Sequence, residues 1–140
     1  MALLNREGLL RREELKIHKV ELGNDDFVYV RQMSARAKDR WEQSLLRQVT
    51  GEDGKIDYVR SLDDYKAKLA VATVCDEEGN LILSPEDYAV LSENMTAAKL
   101  EKIIDVAQEL NRIDEADKDA MVKNSESGQE DDSVSASAKP

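Results

Sequence analysis

Two stretches of this chain carry oxygen donors at spacings that suggest a cation site. The first, GEDGKIDYVR, runs from Gly51 to Arg60 and reads like the middle of a calcium-binding EF-hand loop. Such a loop takes oxygen ligands at positions 1, 3 and 5, glycine at 6 and a bidentate glutamate at 12. With Gly54 at position 6, Asp53 falls at 5 and Asp57 at 9, but Val49 falls at 1, Gly51 at 3 and Arg60 at 12. A divalent ion would meet too few oxygens and a guanidinium in its shell. The stretch therefore reads as a flexible turn, Gly51 to Gly54, between two helices. The second stretch, DEEGNLILSPED, offers Asp76, Glu78 and Asn80 at positions 1, 3 and 5 and Asp87 at 12. Leu81 stands where the sharp bend needs glycine. A small calcium-modulated, EF-hand-like protein stays open as an alternative.

The other reactive side chains are isolated. His18, the sole histidine, falls on an expected strand with no Ser or Cys nearby in sequence to activate. Cys75, the sole cysteine, excludes an intrachain disulfide and reads as a small core hydrophobe. One His and one Cys cannot build a structural zinc site. The acid pairs Asp63/Asp64 and Glu86/Asp87 fall in first turns of expected helices, where they serve the dipole, and adjacent positions do not face each other. There is no P-loop, nucleophile elbow, His/Glu metal helix or Gly-rich dinucleotide turn. The expectation is a non-enzyme with no catalytic residue, metal or cofactor, one that acts by binding.

Composition sets the frame for these residues. The 140-residue chain suits one domain with a modest core. Aromatics are only 4% of it, so aliphatic side chains must supply most of the packing. A net charge of −10 argues against non-specific nucleic-acid binding. The charge is uneven: residues 1–75 carry 14 Lys/Arg against 13 Asp/Glu, and residues 76–140 carry 6 against 17. A near-neutral front and an acidic back favour head-to-tail self-association. No apolar run approaches the roughly 20 residues of a membrane span. The start, MALLNREGLL, is too short and polar for a secretory signal, so a soluble, cytosolic protein is expected.

The elements follow from periodicity. Leu3 to Glu14 favours a short helix whose Leu3, Leu4, Leu9 and Leu10 form an apolar arm. That arm docks either on its own domain or on a neighbouring subunit. KIHKVEL and FVYVRQM flank the turn residues GNDD and predict an antiparallel hairpin over about 16–33. Such a hairpin must lie on helices or gain strands from a partner. Ser34 caps a helix expected to reach about Val49, with Ala37, Trp41, Leu45 and Val49 on one face. Ser61 caps the next, with Asp64 in a capping-box position and Leu62, Tyr65, Leu69, Val71, Ala72, Val74 and Cys75 along a wide apolar face. Ser84 and Pro85 open a short helix ending near Glu93. Thr96 caps another, striped by Leu100, Ile103, Ile104, Ala107 and Leu110. Asp114 caps a last helix, with Ala116, Ala120 and Met121 on one side, that fades at Asn124.

The expected fold class is thus mainly α with a small N-terminal antiparallel β-hairpin: about four to five helices in one domain, residues 1–124. Residues 125–140, SESGQEDDSVSASAKP, are acidic and Ser-rich and predict a disordered tail. The candidate interface residues are Leu3, Leu4, Leu9, Leu10, Phe27, Tyr29 and Met121.

Two longer stretches carry a family resemblance. FVYVRQMSARAKDRWEQ is a strand running into a helix through a Ser cap. KLAVATVCDEEGNLILSPEDYAVLSENMTAAKLEKIIDVAQELNRI is an apolar helix, a D-x-x-G link, an S-x-E-D helix start and a second amphipathic helix ending in Leu-Asn. In this order they resemble the tail assembly chaperones of long-tailed bacteriophages with non-contractile tails, over roughly Lys16 to Ile113. The resemblance implies binding to the tape measure protein, whose long apolar helical chain is kept soluble, and recruitment of major tail (tube) subunits around it. It also implies self-association, a site of action in the host cell cytoplasm, absence from the finished virion, and for many such genes a longer frameshifted product. It brings no catalytic residues. A helical adaptor or regulator of another partner would show the same physical features.

Overall fold

The first hairpin is set by its turn. Asn24 and Asp25 both take left-handed backbone angles, φ 53° and 67°. A two-residue loop with positive φ at both positions matches the right-handed twist of the strands it joins. The computed structural model describes residues 1–113. Their elements in chain order are α1 (Arg6–Leu10), β1 (Ile17–Gly23), β2 (Asp26–Arg31), α2 (Ala35–Ser44), β3 (Leu46–Thr50), β4 (Ile56–Arg60), α3 (Tyr65–Thr73), β5 (Val74–Cys75), α4 (Tyr88–Asn94) and α5 (Ala97–Leu110). A 3-10 turn, Pro85–Asp87, leads into α4.

The strands form two separate antiparallel sheets. In the first, of order β1-β2-β5, Val20 lies opposite Val28, and Val30 lies between His18 and Val74. Side chains alternate across a strand, so Val20, Val28 and Val30 share the face turned to the core; Val30 is completely buried. The second sheet is the β3–β4 hairpin, with Leu46 opposite Arg60, Gln48 opposite Tyr58 and Thr50 opposite Ile56. Its base is closed by the Ser61 amide donating to the Leu45 carbonyl.

The core gathers around α3. Ala67, Leu69, Ala70, Val71 and Thr73 are all buried, so five of the nine residues of this helix face protein. The small alanines let neighbouring elements approach closely. Thr73 hides its hydroxyl by donating to the Leu69 carbonyl, 2.8 Å, within its own helix. Trp41 from α2, Leu45 just after it, and Leu100, Ile103, Ile104 and Ala107 from α5 join α3 in one core cluster. The rings of Trp41 and Tyr65 meet edge to face at 5.6 Å. Ion pairing between Lys66 and Glu101 adds a surface tie from α3 to α5.

The domain is therefore not mainly α with one hairpin. The described residues hold five strands in two antiparallel sheets, about 42% helix and 23% strand. Three local expectations fail for identifiable reasons. The helix capped by Ser34 stops at Ser44 instead of reaching Val49. Val49 falls on the four-residue repeat of that helix, but LRQVT and IDYVR are also β-favouring runs flanking a Gly-rich turn, and hairpin pairing decides between them. The Gly51–Gly54 turn accordingly joins two strands, with Gly54 at φ 79° near the tip. Next, α3 begins after Asp64 rather than at Ser61, because Ser61 is held in the base of the hairpin. Ser61 Oγ accepts only from the Asp63 amide, 3.2 Å. Finally, Val74 and Cys75 leave the helix and extend the first sheet, where β2 offers an open edge. The caps at Ser34 and Thr96 do form, accepting from the amides of Ala37 and Lys99. The helix expected from Asp114, the tail and Met121 lie outside the described residues.

Leu69 has no exposed surface. Leu69→Ala is expected to cost about 2–5 kcal/mol of unfolding free energy, because the cavity can relax only in part. Urea unfolding followed by circular dichroism measures it.

Candidate functional site

Apolar surface is left uncovered at several places, and one of them is a cleft. Its walls are α2, α3 and the segment from Leu81 to Tyr88. Ala37 and Trp41, one turn apart on α2, face Val71 and Ala72 on α3, while Leu81, Leu83, Pro85 and Tyr88 close the third side. The volume is about 630 Å³, within the usual range for a ligand pocket. The rim is cationic: Arg31, Arg36, Arg40 and Lys68 stand against one carboxylate, Glu86. Arg36 and Arg40 lie four residues apart and so share one side of α2.

The polar atoms in the cleft are unevenly satisfied. Lys68 Nζ donates to the Ser44 carbonyl at the end of α2, 2.8 Å, and sits 5.0 Å from the centre of the Tyr88 ring. Arg31 Nη1 donates to the Gly79 carbonyl, 2.8 Å. Arg31 Nε and Trp41 Nε1, by contrast, are buried donors with no hydrogen-bond partner among the described residues. An unpaired buried donor costs about 1–3 kcal/mol.

The second surface is the N-terminal arm. Asn5 caps α1 by accepting from the Gly8 amide, 2.9 Å. None of the residues of α1 is buried. Leu3, Leu4, Leu9 and Leu10 are all exposed, the least of them, Leu4, by 61%. The arm therefore does not bury its leucines on its own domain.

The third surface is the β3–β4 hairpin, whose register puts Leu46, Ile56 and Tyr58 on one face. All three are exposed. Sequence reasoning missed this face because it treated Val49 as helical; the alternation in IDYVR, beside a Gly-rich turn, was the signal that could have found it.

Phe27 and Tyr29 lie together on the face of the first sheet that points away from the core. Their rings meet edge to face at 5.6 Å, and Lys19 Nζ sits 4.4 Å from the Phe27 ring centre. Phe27 is exposed and Tyr29 half-buried. The structure thus places the predicted interface residues in two separate patches, the arm and this sheet face. Met121 lies outside the described residues.

Comparison with protein-family models, with curated proteins and with solved structures finds no match.

The two EF-like stretches are tied up in turns. Asp53 Oδ1 accepts from the Lys55 amide, 3.0 Å. Asp76 Oδ1 accepts from the amides of Glu78 and Asn80, both at 2.9 Å, in a loop where Gly79 holds φ 90°. A Cβ on Gly79 would approach Ile17 Cδ1 to 3.1 Å, which keeps this position small. The Asn80 amide, followed by the Glu78 and Gly79 amides, holds the Asp76 carboxyl below the usual carboxylate range. Among the described residues no group of three His, Cys, Asp or Glu side chains could hold a metal ion. Cys75 is buried in the sheet, and burial raises its thiol pKa, with a smaller opposing effect from Arg31. Nothing in this arrangement activates it as a nucleophile. No described helix is long and apolar enough to cross a membrane.

Two predictions follow from these surfaces. Because its folded pKa is depressed, Asp76 stabilises the fold above the ordinary carboxylate range and loses that contribution as pH falls through the folded value. Asp76→Ala should therefore lower Tm at pH 7 by an amount that shrinks as pH falls below the ordinary carboxylate range; a pH-independent gap would mean the amide bonds to the carboxylate are not the source. Ile56→Ser and Tyr58→Ser should each change unfolding free energy by about 1 kcal/mol or less, since these side chains are exposed. A urea titration of each variant checks this.

Proposed function

We propose that this chain works by offering apolar surface to other protein chains, as a tail assembly chaperone of a long-tailed bacteriophage. The observation that carries the reading is the leucine arm: four leucines within eight residues, all exposed. Single exposed apolar side chains are ordinary, but clustered ones mark interaction sites. The Phe27/Tyr29 face and the cation-rimmed cleft add surfaces of the same kind.

The client in this reading is the tape measure protein, a long helical chain whose apolar stripe needs cover before the tail tube closes around it. A cleft between two helices suits an amphipathic helix laid along it. The exposed arm and hairpin suit contacts with further copies of the chain and with tube subunits. A net charge of −10 keeps such a particle soluble while it carries greasy surface. The site of action is the host cytoplasm, and the protein leaves before the virion is finished.

Co-expression with a tape measure fragment tests this. The soluble share of the fragment should rise with the protein present and fall again when Leu3, Leu4, Leu9 and Leu10 are all changed to Ser. A fragment that precipitates equally with and without the protein defeats the reading.

A further inference from the structure

The charge around the cleft runs against the charge of the molecule. The chain carries 30 Asp/Glu against 20 Lys/Arg, yet the cleft is lined by four cations and a single carboxylate. We infer that the cleft selects a partner protein's amphipathic helix that carries carboxylates along one flank of its apolar stripe. This selectivity rests on the part of the reading above that seats a helix in the cleft, and it adds which helix the seat prefers.

The four cations divide into two that are engaged and two that are not. Lys68 Nζ donates to the Ser44 carbonyl, and Arg31 Nη1 donates to the Gly79 carbonyl. Held by these bonds, both give the cleft a fixed positive potential. Arg36 and Arg40 are exposed. Neither makes an ion pair or a side-chain hydrogen bond among the described residues, and Glu86 pairs with neither. Arginines at the rim of an apolar floor are well suited to reading a partner's charge, because Arg is enriched at interfaces and rim charges set specificity.

Spacing sets the pattern they read. Arg36 and Arg40 stand four residues apart on α2, so their Cβ atoms lie about 6 Å apart along one side of the helix. Carboxylates four residues apart on an aligned helix repeat at the same interval. The ten residues of α2 span about 15 Å, room for about three turns of a partner laid beside it. Ala37, Trp41, Val71 and Ala72 would take the apolar stripe, while the flanking acids reach Arg36 and Arg40. A helix with lysines on that flank would meet like charge and be rejected.

The field of the whole protein works the other way. A net charge of −10 draws in basic partners at long range and repels acidic ones. A preference for the acidic helix therefore comes from the local cations alone.

Three fluorescein-labelled helical peptides, added to the full chain, test this by fluorescence anisotropy. They share one leucine stripe and differ only at the flanking positions, which are Glu, Gln or Lys. Affinity should fall in that order. Two exposed ion pairs correspond to about 2- to 25-fold in Kd between the Glu and Gln peptides, a gap that should narrow with added salt. Arg36→Gln with Arg40→Gln should level those two peptides, and Arg36→Glu with Arg40→Glu should reverse the order. Ala37→Phe, which fills part of the cleft, should weaken all three. Circular dichroism checks that each variant is folded. Equal or tighter binding of the Lys peptide, an order that the arginine changes leave unmoved, or no binding of any peptide would each overturn the selectivity. So would sedimentation showing that the Arg36/Arg40 reversal dissociates the protein's own oligomer, since the occupant would then be a second copy. The co-expression test separates the two readings. A tape measure fragment that precipitates while the Glu peptide is preferred removes the chaperone and leaves the cleft's selectivity. A fragment kept soluble while the peptides bind without charge preference does the reverse.

Discussion

Everything in this domain leans on the burial of one short helix. α3 spans nine residues, and its Leu69, Ala70 and Thr73 have no exposed surface. Small side chains on several faces let α2, α4 and α5 approach its backbone together, and the first sheet packs on α5. The helix then runs straight into β5, so the same covalent segment that forms the centre of the core also supplies the third strand of the sheet. Helix and sheet cannot shift separately. With aromatics so scarce, this close approach of aliphatic layers replaces the bulk that rings would supply.

That arrangement decides what remains uncovered. Val71 and Ala72 of α3 line the cleft with Ala37 and Trp41 of α2. The segment from Leu81 to Tyr88 covers one side only. Ser92 Oγ donates to Asp64 Oδ1, 2.7 Å, which ties α4 to the left-handed residue that opens α3. The cleft is thus framed by elements anchored in the core, while the arm and the second hairpin extend from it. The groove is built from the packed core, whereas the apolar appendages project beyond it.

Much of this could be read before the structure. The first hairpin, the caps at Ser34 and Thr96 and the apolar stripe of α5 follow from local rules that no tertiary contact overrides. The second hairpin was hidden because Ala37, Trp41, Leu45 and Val49 satisfy a helical repeat as well as they satisfy a helix followed by a strand. A five-residue strand supplies too few positions for its alternation to outvote a longer period. Val74 and Cys75 continue an apolar helix without a break, and only the open edge of β2 draws them into a sheet. The leucines of the arm were visible as candidates, but whether they would be covered depended on tertiary packing. The cleft was not legible at all. It joins Arg31, Trp41, Ala72 and Tyr88, residues whose proximity depends on how the helices pack rather than on any motif.

The β3–β4 ribbon is paired on only one side of each strand among the described residues. Each strand thus has an open edge that could template a further strand, which invites open-ended polymerisation. Arg47, Asp57 and Arg60 place full charges along those strands, with Lys55 beside them, and charged side chains on an edge disfavour such growth. The same short ribbon thus carries both an exposed apolar face and the charges that guard its open edges.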